Sequence, residues 1–358
     1  MPSESELVHA AFTAFADEVG RRAPLYSRLS RAIALDHSIC DLLLQAPAHQ
    51  RRPVLLLAAL HDIVLEHPEL PLAGHYASVT PTPVLGDPMP AFTETVHMFR
   101  DRILDVMATR HTQTNEVGRC APIVIALRVL GEAQPIGLVD VGCSAGLNLH
   151  LDRYGYRFAA EDGSSIVDVG EGTPLLECSV RGPLPIDAAL PTVAHRIGLD
   201  AKPVDLADPA ARRWLEACTW PDQIDRIERL RLAMAHAQQS TTDIITGDAV
   251  DLVGDMVATV DTSMLPVVLN SWVLAYLPPE RRVDYRRQLE SIGQRRDMTW
   301  IYLEAPSDCP ELDGPRDPDL ARLTAVMRID WRSGSRTVQH VGTMHPHGYW
   351  IRMAAPHT

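Results

Sequence analysis

Lysine is almost missing from this chain: of its 33 basic residues only Lys202 is a lysine. Any Schiff-base chemistry would therefore have a single candidate nucleophile. The six cysteines (Cys40, Cys120, Cys143, Cys178, Cys218 and Cys309) are scattered, with no C-x-x-C pair. That spacing disfavours a disulfide framework or a cysteine-based zinc site and fits reduced thiols, so a cytoplasmic protein with no bound metal is expected. The start, M-P-S-E-S-E-L, lacks the basic and apolar regions of an export signal. Long apolar runs are also missing. The longest covers residues 53–60 and is broken by His61 and Asp62 before residues 63–65. It is too short to span a bilayer and reads as a buried helix. Positive charge is outweighed: 33 − 46 = −13 at pH 7. Such a field repels nucleic-acid backbones and anionic membranes, so neither is expected as a partner. There is no internal repeat and no low-complexity tract.

What is present is 358 residues, 46% of them hydrophobic. That suffices for two or three domains and at least one large core. Up to residue 115 the pattern is helical. Leu7, Val8, Ala11, Phe12, Phe15 and Val19 recur at helical steps before Pro24. Further helices are expected from about Ser27, Ser38, Arg51 and Phe92, with a proline-rich surface connection over 68–90. An all-helical domain over 1–115 follows.

From residue 116 strands and helices alternate. Asn115 caps an expected helix ending at Gly131. Strands are expected over 136–141, 193–199, 243–246, 266–269 and 299–303, with helices over 209–217, 221–239 and 279–292. That alternation implies a mostly parallel sheet. The last segments, 325–331, 336–341 and 348–353, read as antiparallel strands. Short strands around E-D-G-S and E-G-T-P suggest a β insertion at about 155–190.

The most informative stretch is L-V-D-V-G-C-S-A-G-L-N, residues 138–148. A strand delivers Asp140 to a small-residue turn, after which a helix is expected through Tyr154. Small residues permit close backbone approach to a ligand, and a helix start offers unpaired N–H groups. D-x-G-x-S-x-G resembles motif I of class I S-adenosylmethionine-dependent methyltransferases, with Ser144 where the middle glycine stands. The resemblance implies a cofactor site of Asp140, Gly142, Ser144, Gly146 and Asn148. It also implies an acid after the second strand for the ribose and one after the third for adenine. Asp200, in R-I-G-L-D, and Asp248 with Ala249, in T-G-D-A, are the candidates. Asp200 lies 60 residues beyond Asp140, where about 20 is usual, so an insertion must fill the gap. Each acid has a plainer use as a helix cap or turn residue.

Two other readings compete. Gly142-Cys143-Ser144-Ala145-Gly146 also matches G-x-S-x-G, the nucleophile elbow of serine hydrolases, with Glu304 and His340 or His347 as partners. The elbow does not account for Asp140 or for the acids at later strand ends. The other reading is a tight crossover turn with no ligand.

The segment R-H-T-Q-T-N-E-V-G-R, residues 110–119, is unusually polar. Thr112, Gln113, Asn115 and Arg119 are candidates for substrate binding; capping is the competing use. Asn270, Ser271 and Trp272 end the fourth strand, where the methyltransferase arrangement puts the transferred group. They are catalytic candidates, and Tyr276 is a substrate candidate. Glu116, His111 or Glu304 is available as a base. Packing is the plainer role for Trp272 and Tyr276. His345 and His347 without further ligands read as structural.

The motifs R-R-P-V-L-L-L-A-A-L-H, R-H-T-Q-T-N-E-V-G-R-C-A, V-G-C-S-A-G-L-N-L, W-P-D-Q and W-V-L-A-Y-L-P-P-E-R resemble the family termed domain of unknown function 2332, from about Phe12 to Trp350. The resemblance implies a helical region joined to a Rossmann-like methyltransferase fold, a mostly parallel sheet with antiparallel C-terminal strands, over 116–358. The expected activity is methyl transfer from S-adenosylmethionine to a small-molecule acceptor. A catalytically silent S-adenosylmethionine-binding module is an alternative. The oligomeric state stays open.

Overall fold

Ser3 opens the first helix through a reciprocal cap. Its Oγ accepts from Glu6 N–H at 3.2 Å, and Glu6 accepts from Ser3 N–H at 2.6 Å. The structure, a computed structural model, describes residues 2–128, 134–184, 189–240 and 242–355. It divides into two compact units: residues 1–115 with 207–231, and 116–206 with 232–358.

The first unit is helical, with helices Glu4–Val19, Pro24–Ile33, His37–Cys40, Pro53–Glu66, Met89–Met98, Arg100–Thr109 and Pro209–Ala217. Proline at the first turn starts several of them, where its missing N–H costs nothing. Pro53–Glu66 is apolar on all sides and buried nearly throughout, as such a helix must be. Two polar residues inside it are fully partnered. Asp62 is paired by Arg102 at 3.2 Å and Arg213 at 3.0 Å. His61 lies 2.8 Å from Ser78 Oγ and 3.1 Å from Ala217 O, and burial pushes its pKa down to about 4. These contacts show why residues 207–231 join this unit, although the sequence reading drew the second domain as continuous from 116. Arg213 neutralises a buried carboxylate, and Trp214 packs in the helical core.

The second unit is built on one sheet. Its strands are β1 (Ile136–Val141), β2 (Gly155–Ala160), β3 (Ile166–Val169), β4 (Leu175–Arg181), β5 (Val193–Asp200), β6 (Asp243–Thr246), β7 (Leu265–Ser271), β8 (Met298–Glu304), β9 (Thr324–Arg332), β10 (Ser335–Met344) and β11 (Trp350–Met353). Their order is β3-β2-β4-β11-β10-β9-β8-β7-β1-β5-β6. The stretch β6-β5-β1-β7-β8 is parallel throughout. β9 and β10 follow antiparallel. The fold is thus mixed α/β on a large sheet, parallel over the five strands from β8 to the β6 edge and antiparallel around β9. β1, β7 and β8 are buried on both faces, which is why they read as continuous apolar runs. Helices Ala249–Thr259 and Pro279–Gly293 contribute Val250, Val253, Val257, Tyr285 and Leu289 to the core around Val139, Leu199, Val268 and Trp300.

The expected β insertion is present as β2–β4, at the edge of the sheet beyond β11; the expected range also covers residues 185–188, outside those described. Two expectations change. The helix expected from Asn115 begins instead as a short turn, Val117–Arg119, capped by the Glu116 carboxylate, then Cys120–Arg128; its expected end, Gly131, lies outside the described residues. The helix expected through Tyr154 is a 3-10 segment, Leu147–Arg153, interrupted at His150. The reason is competition for carbonyls. Leu147 O accepts from Tyr154 OH at 2.7 Å, Leu149 O from Arg196 Nε at 2.9 Å, and Leu151 O from Tyr156 OH. Among the described residues no helix is long and apolar enough to cross a membrane.

Candidate active site

The parallel strands deliver their carboxyl ends to one side of the second unit. β1 lies between β5, the next of the parallel strands in chain order, and β7, to which the chain returns after β6. This reversal of strand order is where open α/β sheets form ligand crevices.

The turn after β1 is held by close packing. Gly142 has φ +80°, and a Cβ there would lie 2.0 Å from Val273 Cγ2. Its N–H donates to Leu199 O at 2.7 Å. Ser144 also has positive φ, +52°, and its N–H donates to Asp200 Oδ2 at 2.7 Å. Gly146 is left-handed and packs against Ile244.

The three expected acids take different roles. Asp140 is 1% exposed, and its Oδ2 is buried with no hydrogen-bond partner. Burial, reinforced by the charge of Asp200, pushes its carboxyl up to about 7. Asp200 accepts from Ser144 N–H on one oxygen and from Lys202 N–H, at 2.8 Å, on the other. It is therefore the brace of the turn; each oxygen keeps a further lone pair. Asp248 takes the plainer use. It caps Ala249–Thr259 by accepting from Val250 N–H at 2.8 Å and pairs with Arg281 at 2.5 Å. Ala249 is the first residue of that helix. Asn148 accepts from the Cys120 thiol at 3.3 Å. His150 is buried against His236, and burial lowers its pKa to about 4.

The end of β7 is a second polar cluster. Asn270, named as catalytic, is fully buried and satisfied. Its Nδ2 donates to Val141 O at 3.1 Å, and its Oδ1 accepts from Trp300 Nε1 at 2.7 Å and Tyr285 OH at 3.2 Å. It ties β7 to β1 and supports the site from beneath. Ser271 accepts from Arg119 through both O and Oγ, at 3.3 and 3.4 Å. Trp272 has φ +57°, strained for a bulky residue, and its Nε1 is buried with no hydrogen-bond partner. The Arg119 guanidinium lies over its ring at 5.7 Å, and Arg119 Nε donates to Pro346 O at 2.9 Å. Glu304 ends β8. Its Oε1 accepts from Val273 and Leu274 N–H, each at 2.7 Å, while Oε2 is buried without a partner. Burial pushes it up to about 7. Glu116 Oε2 lies 3.4 Å from His347 Nδ1. Tyr276, by contrast, is 81% exposed.

His111, Thr112, Gln113 and Asn115 belong to the first unit. There His111 O accepts from Trp214 Nε1 at 2.9 Å, and its ring meets the Gln50 amide. Glu116 and Arg119, from the end of the polar segment 110–119, belong to the second unit and enter the cluster just described.

Outside the hydrolase reading, the sequence marked His347 only as a structural loop residue and held Glu304 in reserve. Glu304 carried a signal, since an acid closing the apolar run T-W-I-Y-L-E ends a buried strand where ligands bind. His347 carried none, because its partner Glu116 is 231 residues away by subtraction of their numbers.

The arrangement supplies two buried carboxyls with raised pKa, each with one unpartnered oxygen, at the ends of β1 and β8. It also supplies a buried guanidinium and an unpartnered indole N–H. No curated protein matches the chain. A family model described as "uncharacterized protein conserved in bacteria (DUF2332)" matches residues 9–353, and the chain belongs to that family.

Proposed function

We propose that the second unit binds S-adenosylmethionine at the carboxyl ends of β1 and β5 and that the protein transfers its methyl group to a small-molecule acceptor. The observation that carries this reading is the pairing of strand order with charge. The order β6-β5-β1-β7-β8 is the one the motif I resemblance implies, and it sets a buried, unpartnered carboxylate oxygen of Asp140 directly before the Gly142–Gly146 turn. The donor set fits the cofactor. Asp140 would take the ammonium of the methionine part, and the free lone pairs of Asp200 would take ribose hydroxyls, roughly 1.5–3 kcal/mol per charge-assisted bond. Asp248 is occupied by its cap and by Arg281, so the reading leans on Asp140 and Asp200. An eleven-stranded sheet and a 3-10 segment after the turn are departures from the usual pattern.

When bound, the cofactor supplies an electrophilic methyl group. The chain's own residues would do the rest. Arg119, Ser271 and Trp272 would orient an acceptor at the end of β7. Glu304, with its carboxyl near neutrality, would accept a proton at Oε2. Net negative charge favours a small acceptor over nucleic acid.

The test is calorimetry of the full chain with S-adenosylhomocysteine. We expect binding, weakened at least tenfold by Asp140→Asn. Absence of both heat and a thermal shift would overturn the reading. Binding without turnover of any acceptor would leave a silent cofactor-binding module.

The positive φ of Ser144 favours one second reading, the nucleophile elbow of a serine hydrolase. His340, however, lies on β10, four strand spacings or about 19 Å across the sheet from β1. His347 is turned to Glu116. A fluorophosphonate label on Ser144, lost in Ser144→Ala, would establish the hydrolase.

A further inference from the structure

The first unit gathers three metal-ligating side chains that the site above does not use. His9 comes from helix Glu4–Val19, His37 begins the short helix His37–Cys40, and Asp41 begins the turn that follows. One ligand atom from each lies within 4.8 Å of the others.

We propose that His9, His37 and Asp41 form a binding site for one zinc ion, with an open coordination position toward solvent.

The tautomer of His9 supports this. Its Nδ1 lies 2.7 Å from Ala34 O. A carbonyl only accepts, so the Nδ1 proton is fixed and a neutral ring presents its lone pair at Nε2. Ligating histidines are held in this way, the second nitrogen donating to a carbonyl or carboxylate. Nε2 is shielded from solvent, has no hydrogen-bond partner and lies 3.5 Å from Asp41 Oδ1. Two electron-pair donors facing each other at that distance need a cation or a proton between them. Tetrahedral zinc with bonds of about 2.0–2.1 Å needs ligand atoms roughly 3.3–3.4 Å apart, which the His9–Asp41 pair nearly meets.

The other two residues complete the site. The His37 ring lies 4.1 Å from that of His9, centroid to centroid. His37 is exposed, so an ion can enter from its side. Asp41 Oδ1 also accepts from Ser5 Oγ at 2.7 Å, which orients the carboxylate. Two imidazoles and a carboxylate select zinc over magnesium or calcium, which take oxygen ligands. A bound ion would join the first helix to the turn at 37–41, stabilising the unit, while the fourth position remains open to water or a small anion.

The experiment is calorimetry of the untagged, chelator-treated full chain with zinc chloride, paired with the visible spectrum of the cobalt(II)-loaded protein. We expect one site with micromolar or tighter affinity, a low-coordinate cobalt spectrum and a zinc-dependent rise in Tm. His37→Ala, at an exposed position, and Asp41→Asn should each weaken binding at least tenfold. Circular dichroism of both variants checks that they fold. Absence of zinc binding, or affinity unchanged in both folded variants, would overturn the site and leave a His9–Asp41 ion pair. Neither result touches the S-adenosylhomocysteine measurement.

Discussion

The main-chain N–H of Ser144 donates to the Asp200 carboxylate over 2.7 Å, joining two residues 56 positions apart in the chain. Asp200 also accepts from Lys202 N–H, so one side chain fixes both the turn after β1 and the turn after β5. Asp200→Ala removes both bonds, and S-adenosylhomocysteine affinity should fall at least tenfold with a Tm several degrees lower. Asp200→Asn keeps a single acceptor oxygen and should fall between. Parallel calorimetry and thermal melts check this; an unchanged affinity in Asp200→Ala removes Asp200 from the site.

Gly142 tests the packing of the turn. A methyl group at its Cβ would overlap Val273 Cγ2, and its φ of +80° disfavours any other residue. Gly142→Ala should destabilise the second unit by about 2 kcal/mol or more. Adding Val273→Ala removes the two closest contacts, Cγ2 and Cγ1, but leaves the residue 273 Cβ at 2.8 Å and the dihedral strain, so it should restore only part of the loss. Urea unfolding of both variants measures the difference. Full recovery would show that the backbone conformation costs little.

Asp140 and Glu304 make stability depend on pH in an unusual direction. Both carboxyls are pushed up to about 7 in the folded protein, chiefly by burial, whereas unfolded carboxyls release their protons near 4. Between those values the unfolded chain binds fewer protons than the native one. These two groups therefore lower stability as pH rises from about 4 to 7, and add nothing further above that. His61 and His150, pushed down to about 4 by burial, act with the opposite sign over part of the same window. The readout is thus the difference between variant and parent. Asp140→Asn and Glu304→Gln should each gain stability relative to the parent as pH rises from 5 to 7, on the order of 1–3 kcal/mol. Chemical denaturation at several pH values decides it; parallel pH profiles for variant and parent would contradict the assignment.

Much of the fold was readable because its strands announce themselves. Residues 136–141 form the strand expected, and the strands expected near 193, 243, 266 and 299 are present within a few residues. Each is a short apolar run bounded by turn residues, a signal that lies within the segment itself. The 3-10 segment Leu147–Arg153 was not readable, since it depends on Arg196 and Tyr156 taking carbonyls that a helix would use. Asn270 looked reactive because it follows an apolar strand. Its partners Trp300 and Tyr285, which make it a buried support, lie on a different strand and helix.

The sequence alone determined the helical character up to residue 115, the central strands, the tight turn after Asp140 and the family. All of these depend on residues close together in the chain, through periodicity, turn chemistry and local motif. Only the tertiary structure decided that Asp62 draws residues 207–231 into the helical unit through Arg213. It alone put β2–β4 at the distant edge of the sheet, set Asp248 to capping, and gathered Glu116, Arg119, Glu304 and His347 into the second unit. The physical reason is that the partner of a buried charge is fixed by packing in space, and packing joins residues whose separation along the chain leaves no local trace.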